Sequence, residues 1–187
     1  MQRLRVIAGK AKGRRLKPVP GETTRPIGDR VKEALFNILG ADVDGAYFLD
    51  LFTGTGSVAI EALSRGAEQA VCIDNDNRAI RTVTDNLENT GLASSAIVLQ
   101  RDAFAYLRGQ PDRQFDLVYV APPQFVDMWH KTLLMLEANI GWLNPDAWVI
   151  AQMHPKEYRQ LELKSLVEFD QRRYGNTLLV FYEYQST

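Results

Sequence analysis

With 187 residues, 45% of them apolar, and a formal net charge of −1, the chain is sized for one compact domain with a substantial core. No apolar run approaches the ~18–20 residues of a membrane-spanning helix, and the start MQRLRVIAGK lacks a signal peptide's apolar stretch, so a cytoplasmic protein without membrane contact is expected. The single Cys72 excludes an internal disulfide, and His130 and His154 have no cysteine partners at metal-ligand spacing, so no metal site is expected.

The charge is unevenly distributed along the chain. Residues 1–32 hold ten Lys and Arg (Arg3, Arg5, Lys10, Lys12, Arg14, Arg15, Lys17, Arg25, Arg30 and Lys32) against Glu22 and Asp29, a net +8 that leaves −9 on the remainder. A basic arm on an acidic body is a footprint for a polyanion, because each neutralised phosphate releases counterions. A solvated tail is the alternative. Val6, Ile7 and Leu16, interleaved among the cations, favour a folded hairpin.

Beyond the arm, residues 29–39 place Val31, Leu35, Ile38 and Leu39 on one helical face, with Gly40 as a stop. The run 47–51 reads as a buried strand, followed by Gly54, Gly56 and a helix that ends near Arg65-Gly66. A second strand fits 70–74, where Cys72 reads as a small buried hydrophobe. Ile80, Val83 and Leu87 mark a helix before Gly91, and a third strand fits 96–99. The fourth, 115–120, ends at Pro122-Pro123, and Trp129, Leu133 and Leu136 line the helix after it. A fifth fits 147–153. Two final strand-like runs, roughly 163–174 and 177–184, flank Gly175-Asn176 and predict a hairpin. The expected fold is therefore α/β and doubly wound. Its seven-stranded sheet is mostly parallel, closes on a C-terminal antiparallel hairpin, and carries a basic N-terminal β-hairpin and helix.

Ligands of such a sheet bind outside the carboxyl ends of its strands. The first such end is Asp50-Leu51-Phe52-Thr53-Gly54-Thr55-Gly56. Taken alone, Gly54-x-Gly56-x-x-Ala59 also satisfies a dinucleotide fingerprint, with Asp74 placed 18 residues past Gly56 as a ribose-binding acid. Asp50 discriminates. A carboxylate there repels a pyrophosphate, whereas S-adenosylmethionine (SAM) has no phosphate and carries an ammonium and a sulfonium. Nor does a Tyr and Lys pair suited to hydride transfer stand near a strand end. The glycines allow close backbone approach, Asp74 can accept both ribose hydroxyls, and Asp102, past the third strand, is placed for the adenine amino group. A helix cap is an equal reading of Asp102. In Ala121-Pro122-Pro123-Gln124-Phe125, two prolines end the fourth strand and free carbonyls to accept from a ligand.

LDLFTGTGSVAIEALSRGA (49–67), CIDND (72–76), RDAFAYL (101–107) and the Pro-Pro loop resemble a class I SAM-dependent methyltransferase, in the order of enzymes that methylate exocyclic amines. RVIAGKAKGRRLKPVP (5–20), TRPIGDRVKEALFNIL (24–39) and RRYGNTLLVFY (172–182) are more specific: they resemble the bacterial family that methylates the guanine 2-amino group in 16S ribosomal RNA. The resemblance implies that Asp50, Phe52, Gly54 and Gly56 surround the methionine part of SAM, that Asp74 and Asn75 hold the ribose, and that Asp102 and Ala103 meet the adenine. It implies RNA contacts from Arg3, Arg5, Lys10, Lys12, Arg14, Arg15, Arg25, Arg30 and Phe125. It further implies an RNA-contacting appendage over 1–40 and a monomeric catalytic domain over 41–187.

The departure falls in the catalytic loop, Ala121, Pro122, Pro123 and Gln124, where the family pattern is Asp or Asn, Pro, Pro, then Tyr or Phe. An Ala121 side chain accepts nothing, which leaves the Ala121 and Pro122 carbonyls to orient the amine. Losing one directed acceptor costs about 2–4 kcal/mol of transition-state stabilisation. Gln124 can bond a base edge, and Phe125 can stack one position late or belong to the core. Two readings follow: an active RNA guanine-N2 methyltransferase, or an RNA-binding protein of the same fold with impaired catalysis.

Overall fold

A computed structural model describes residues 3–21 and 26–186; Arg25, one of the expected RNA contacts, lies outside the described residues. The chain runs α1 (Asp29–Leu39), β1 (Tyr47–Asp50), α2 (Ser57–Ser64), β2 (Gln69–Asp74), α3 (Asn77–Asn89), β3 (Ala96–Gln100), α4 (Ala103–Arg108), β4 (Phe115–Val120), α5 (Met128–Ala138), β5 (Leu143–Met153), β6 (Leu166–Tyr174) and β7 (Thr177–Tyr184). The sheet order is β3-β2-β1-β4-β5-β7-β6. The first five strands are parallel, and β7 lies antiparallel between β5 and β6. The chain winds outward from β1 to β3, then returns to place β4 beside β1. That reversal opens a crevice at the carboxyl ends of β1 and β4.

Successive strand residues face opposite layers. Phe48, Ala70, Cys72, Leu117, Tyr119 and Phe181 pack with α1, α2, α3 and the arm residues Val6 and Leu16. Leu49, Val71, Val118, Val120 and Val180 pack with α4 and α5, around Tyr106, Trp129 and Leu133. Burial on both faces explains why the parallel strands read as unbroken apolar runs.

Two strand boundaries differ from expectation by more than one residue. β5 begins at Leu143 rather than 147, because Leu143 pairs with Phe115 before the register shifts and Leu117 meets Trp148; the polar Asn144-Pro145-Asp146 bulges between them. β6 begins at Leu166 rather than 163, because the Glu137 carboxylate at the end of α5 accepts the amides of Lys164, Ser165 and Leu166 at 2.7, 2.7 and 3.0 Å.

The basic arm folds back on itself through one antiparallel bridge, Arg5 to Arg15, so the expected hairpin is present in reduced form. Most of its backbone bonding goes instead to the body. Glu61 of α2 accepts the amides of Ile7 and Ala8 at 2.8 and 3.0 Å, Ser64 accepts that of Ala11, and Asn86 of α3 exchanges bonds with both backbone groups of Lys17. Gly9, at φ +87°, crosses so close to α2 that a Cβ would stand 1.9 Å from the Ser64 carbonyl oxygen. Lys32, counted in sequence among the arm's cations, is no part of the exposed charge. It is 1% exposed, lies 3.3 Å from a fully buried Glu61 oxygen, and donates to the Arg5 carbonyl and the Ser57 hydroxyl. Burial holds its ammonium below the usual lysine range despite the Glu61 charge.

Candidate functional site

The crevice is built from three loops. Asp50 ends β1 between Cys72 of β2 and Tyr119 of β4, and is 1% exposed. The Thr53 hydroxyl donates to one of its oxygens at 3.0 Å; the other makes no hydrogen bond of ordinary geometry among the described residues. Burial pushes this carboxyl up to about 7, the Thr53 hydroxyl opposes the rise, and the Asp74 charge adds to it. Cys72 is buried as expected, and its thiol is pushed up for the same reason.

The glycine turn closes with the Gly56 amide on the Thr53 carbonyl at 2.8 Å. Both glycines need positive φ, +53° at Gly54 and +79° at Gly56, for different ends. A Cβ on Gly56 would meet Val83 at 2.4 Å, so this glycine seats α2 against α3. A Cβ on Gly54 would meet nothing within 4 Å, because this glycine faces the open crevice. Asp74 ends β2 and ties that strand to the turn by accepting the Gly54 amide at 2.9 Å and the Asp76 amide at 3.0 Å. Asn75 is exposed beside it, and Phe52 is half-buried against the layer of α4 and α5. Asp102 is exposed and caps α4 through the Ala105 amide at 2.9 Å, which realises the cap reading; Ala103 is buried under it. An unpartnered buried carboxylate oxygen beside open glycine backbone fits the ammonium end of SAM and is ill suited to a pyrophosphate.

The third loop follows β4. Ala121 is half-buried against the layer of α1, α2 and α3; Pro122 is buried, and Pro123, Gln124, Phe125 and Val126 are exposed. Phe125 has φ +61° and is 62% exposed, so it is no core residue. Glu157 holds it there. One oxygen of this carboxylate accepts the Phe125 amide at 2.7 Å, and the other accepts the His154 amide at 3.0 Å. The His154 ring lies 5.1 Å from that of Phe125. Asp127, also at positive φ, is clamped by Arg159 and His130. Sequence reasoning missed Glu157. The readable signal was Pro155 followed by Glu157, a capping box on His154.

Arg3, Lys10, Lys12, Arg14 and Arg15 are exposed on the arm. Arg5 is exposed and pairs with Asp29 at 2.8 Å, and Arg30 sits 5.9 Å over the ring of Tyr174. The arm's end reaches the crevice where the Pro20 carbonyl accepts from Arg78, two residues past Asp76. Among the described residues, no cluster of three or more His, Cys, Asp or Glu could hold a metal ion. Among the same residues, no helix is long and apolar enough to cross a membrane. A cavity of about 500 Å³ lies at the opposite end of the sheet, lined by Asp42, Asp44, Asp116, Asp146 and Glu183, away from the crevice.

A sheet in this order, with β7 reversed, an acid and a glycine turn after β1 and an acid closing β2, is the class I methyltransferase fold. The chain belongs to the family described as Conserved hypothetical protein 95, whose model matches residues 4–183. It is 39% identical over 183 residues to YlbH of Bacillus subtilis (strain 168), a candidate rRNA methyltransferase by name, covering 96% of this chain and 98% of the relative. It is 37% identical over 150 residues to Ribosomal RNA small subunit methyltransferase D of Escherichia coli (strain K12), covering 80% and 74%. The solved structure of the Escherichia coli protein yhhF, described as a candidate methyltransferase, superposes with a TM-score of 0.88 at 30% identity over 99% of both chains.

Proposed function

We propose that the protein methylates the exocyclic N2 amine of a guanine in small-subunit ribosomal RNA, using SAM. The observation that carries this reading is Phe125. An exposed aromatic ring, held at an unfavourable φ by the Glu157 carboxylate at the mouth of the crevice that begins at Asp50, fits a flipped base better than it fits any need of the core. The names of the relatives support ribosomal RNA as substrate class.

On this reading, Asp50 faces the cofactor's ammonium and the backbone of Phe52, Gly54 and Gly56 its methionine chain. Asp74 and Asn75 meet the ribose, and Asp102 and the Ala103 amide meet the adenine. Bound SAM supplies an electrophilic methyl group. The chain's own contribution is orientation: the Ala121 and Pro122 carbonyls accept the two amine hydrogens, Pro123 keeps the loop rigid, Gln124 bonds the base edge and Phe125 stacks on the base. Arg3, Arg5, Lys10, Lys12, Arg14, Arg15, Arg25 and Arg30 contact phosphates. Residues 1–40 thus serve RNA and 41–187 the cofactor, in a monomeric, cytoplasmic enzyme that needs no metal.

Ala121 favours the second reading, an RNA-binding protein with impaired catalysis. Mass-spectrometric nucleoside analysis of deproteinised small-subunit RNA treated with protein and SAM separates the two. N2-methylguanosine from the wild type supports the first. Its absence from the wild type and its appearance with Ala121→Asp or Ala121→Asn support the second. A different methylated nucleoside overturns the guanine-N2 assignment.

A further inference from the structure

The segment RRYGN (172–176) has no part in the crevice chemistry, yet the sheet places it on the same rim. Met153 at the end of β5 pairs with Leu178, and Tyr174 pairs with Thr177, so the β6–β7 turn projects beyond the carboxyl end of β5. From β4, where Ala121 follows Val120, to β6 is three strand spacings, about 14 Å at ~4.8 Å each. The tip is a tight two-residue turn with Gly175 at φ +59°, the left-handed conformation its first position requires. It is rigid rather than trailing.

Arg172, Arg173, Gly175 and Asn176 are exposed. Arg172 pairs with Asp170 at 3.1 Å at the surface, and Arg173 donates to the Gly175 carbonyl. Among the described residues, neither Arg173 nor Arg30 has a carboxylate partner, and Tyr174 carries Arg30 over its ring. Contacts run without a break from the arm to this tip: Arg5 lies on Asp29, the next residue Arg30 lies on Tyr174, and Arg172 and Arg173 precede it. The cations of the arm thus continue through the first turn of α1 to the far end of the rim, on both sides of the crevice.

We infer that the β6–β7 tip, through Arg172 and Arg173, is a second phosphate-binding surface that grips the RNA backbone on the side of the crevice away from the arm. This rests on the reading of the protein as an RNA methyltransferase. The two exposed guanidiniums, one on each face of the strand, the tight turn and the absence of an apolar patch at the tip suit a phosphodiester backbone rather than a protein surface.

The test is fluorescence anisotropy with a labelled small-subunit rRNA fragment, titrated in KCl, for the wild type and the Arg172→Ala/Arg173→Ala variant. Each lost phosphate contact flattens the log–log salt slope by about 1, so a flattening of about 1–2 and an affinity loss of about tenfold at fixed salt are expected. SAM affinity by calorimetry and the melting temperature remain those of the wild type. The charge-preserving Arg172→Lys/Arg173→Lys variant retains the wild-type slope. An alanine variant with unchanged slope and affinity, beside a wild type that binds RNA, overturns the inference alone. So does normal binding to naked RNA with weakened binding to assembled subunits, which makes the tip a protein contact. A wild type that binds no RNA overturns both this inference and the reading beneath it.

Discussion

Asp50 couples the crevice to pH. Between the ordinary aspartate value of 3.8 and about 7, the folded chain keeps a proton on this carboxyl that the unfolded chain has released. Stability therefore falls as pH rises across that window and is flat above it, with an upper bound of about 4 kcal/mol. Asp50→Asn removes the effect. The cofactor-free variant is expected to melt above the wild type at pH 8 and close to it at pH 4. A cationic ligand reverses the balance by favouring the ionised carboxyl. SAM binding at pH 6.5 is thus expected to release a proton, seen as a buffer-dependent heat in calorimetry, and the variant to bind about 10–100-fold more weakly without that release. Asp50 and Asp74 were legible in the sequence because each closes an apolar run and adjoins a turn. Glu157 was not, since its partner Phe125 is 32 residues away and no periodicity connects them.

At the scale of elements, the arm depends on α2. Glu61 is the one acid in the apolar run 57–64, and that composition was the available sign that it lies inside. Glu61→Gln leaves the Lys32 ammonium buried without its countercharge, and a loss of about 3–5 kcal/mol is expected by urea denaturation. Gly9→Ala forces the turn away from Ser64 while keeping every cation. It is expected to expose the segment before Gly21 to protease and to weaken RNA binding. The helix at 29–39 and the strands at 115–120 and 177–184 were legible to the residue, because periodicity and turn signals coincide there. The arm's docking was not, because its partners Glu61, Ser64 and Asn86 are 53–69 residues distant and no periodicity links them to the arm.

As a whole, the molecule is polarised. Arg5, Arg30 and the hairpin tip carry exposed cations at the crevice end of the sheet, the arm runs down α2 from there to Ser64, and Asp42, Asp44, Asp116, Asp146 and Glu183 gather at the other end. A polyanion approaching such a body is turned toward the crevice before it makes contact. The sequence disclosed the net charges of arm and body but not that the acids collect at the far end, since those five belong to four separate segments. The seating of Gly9 on Ser64 reaches further. A tail that ordered only on meeting RNA would bury new apolar surface and give binding a large negative heat-capacity change. Here Val6, Ala11, Leu16 and Val19 are already inside. On the proposed reading RNA meets a finished surface, and calorimetry across 10–35 °C is expected to find a binding enthalpy that scarcely varies with temperature.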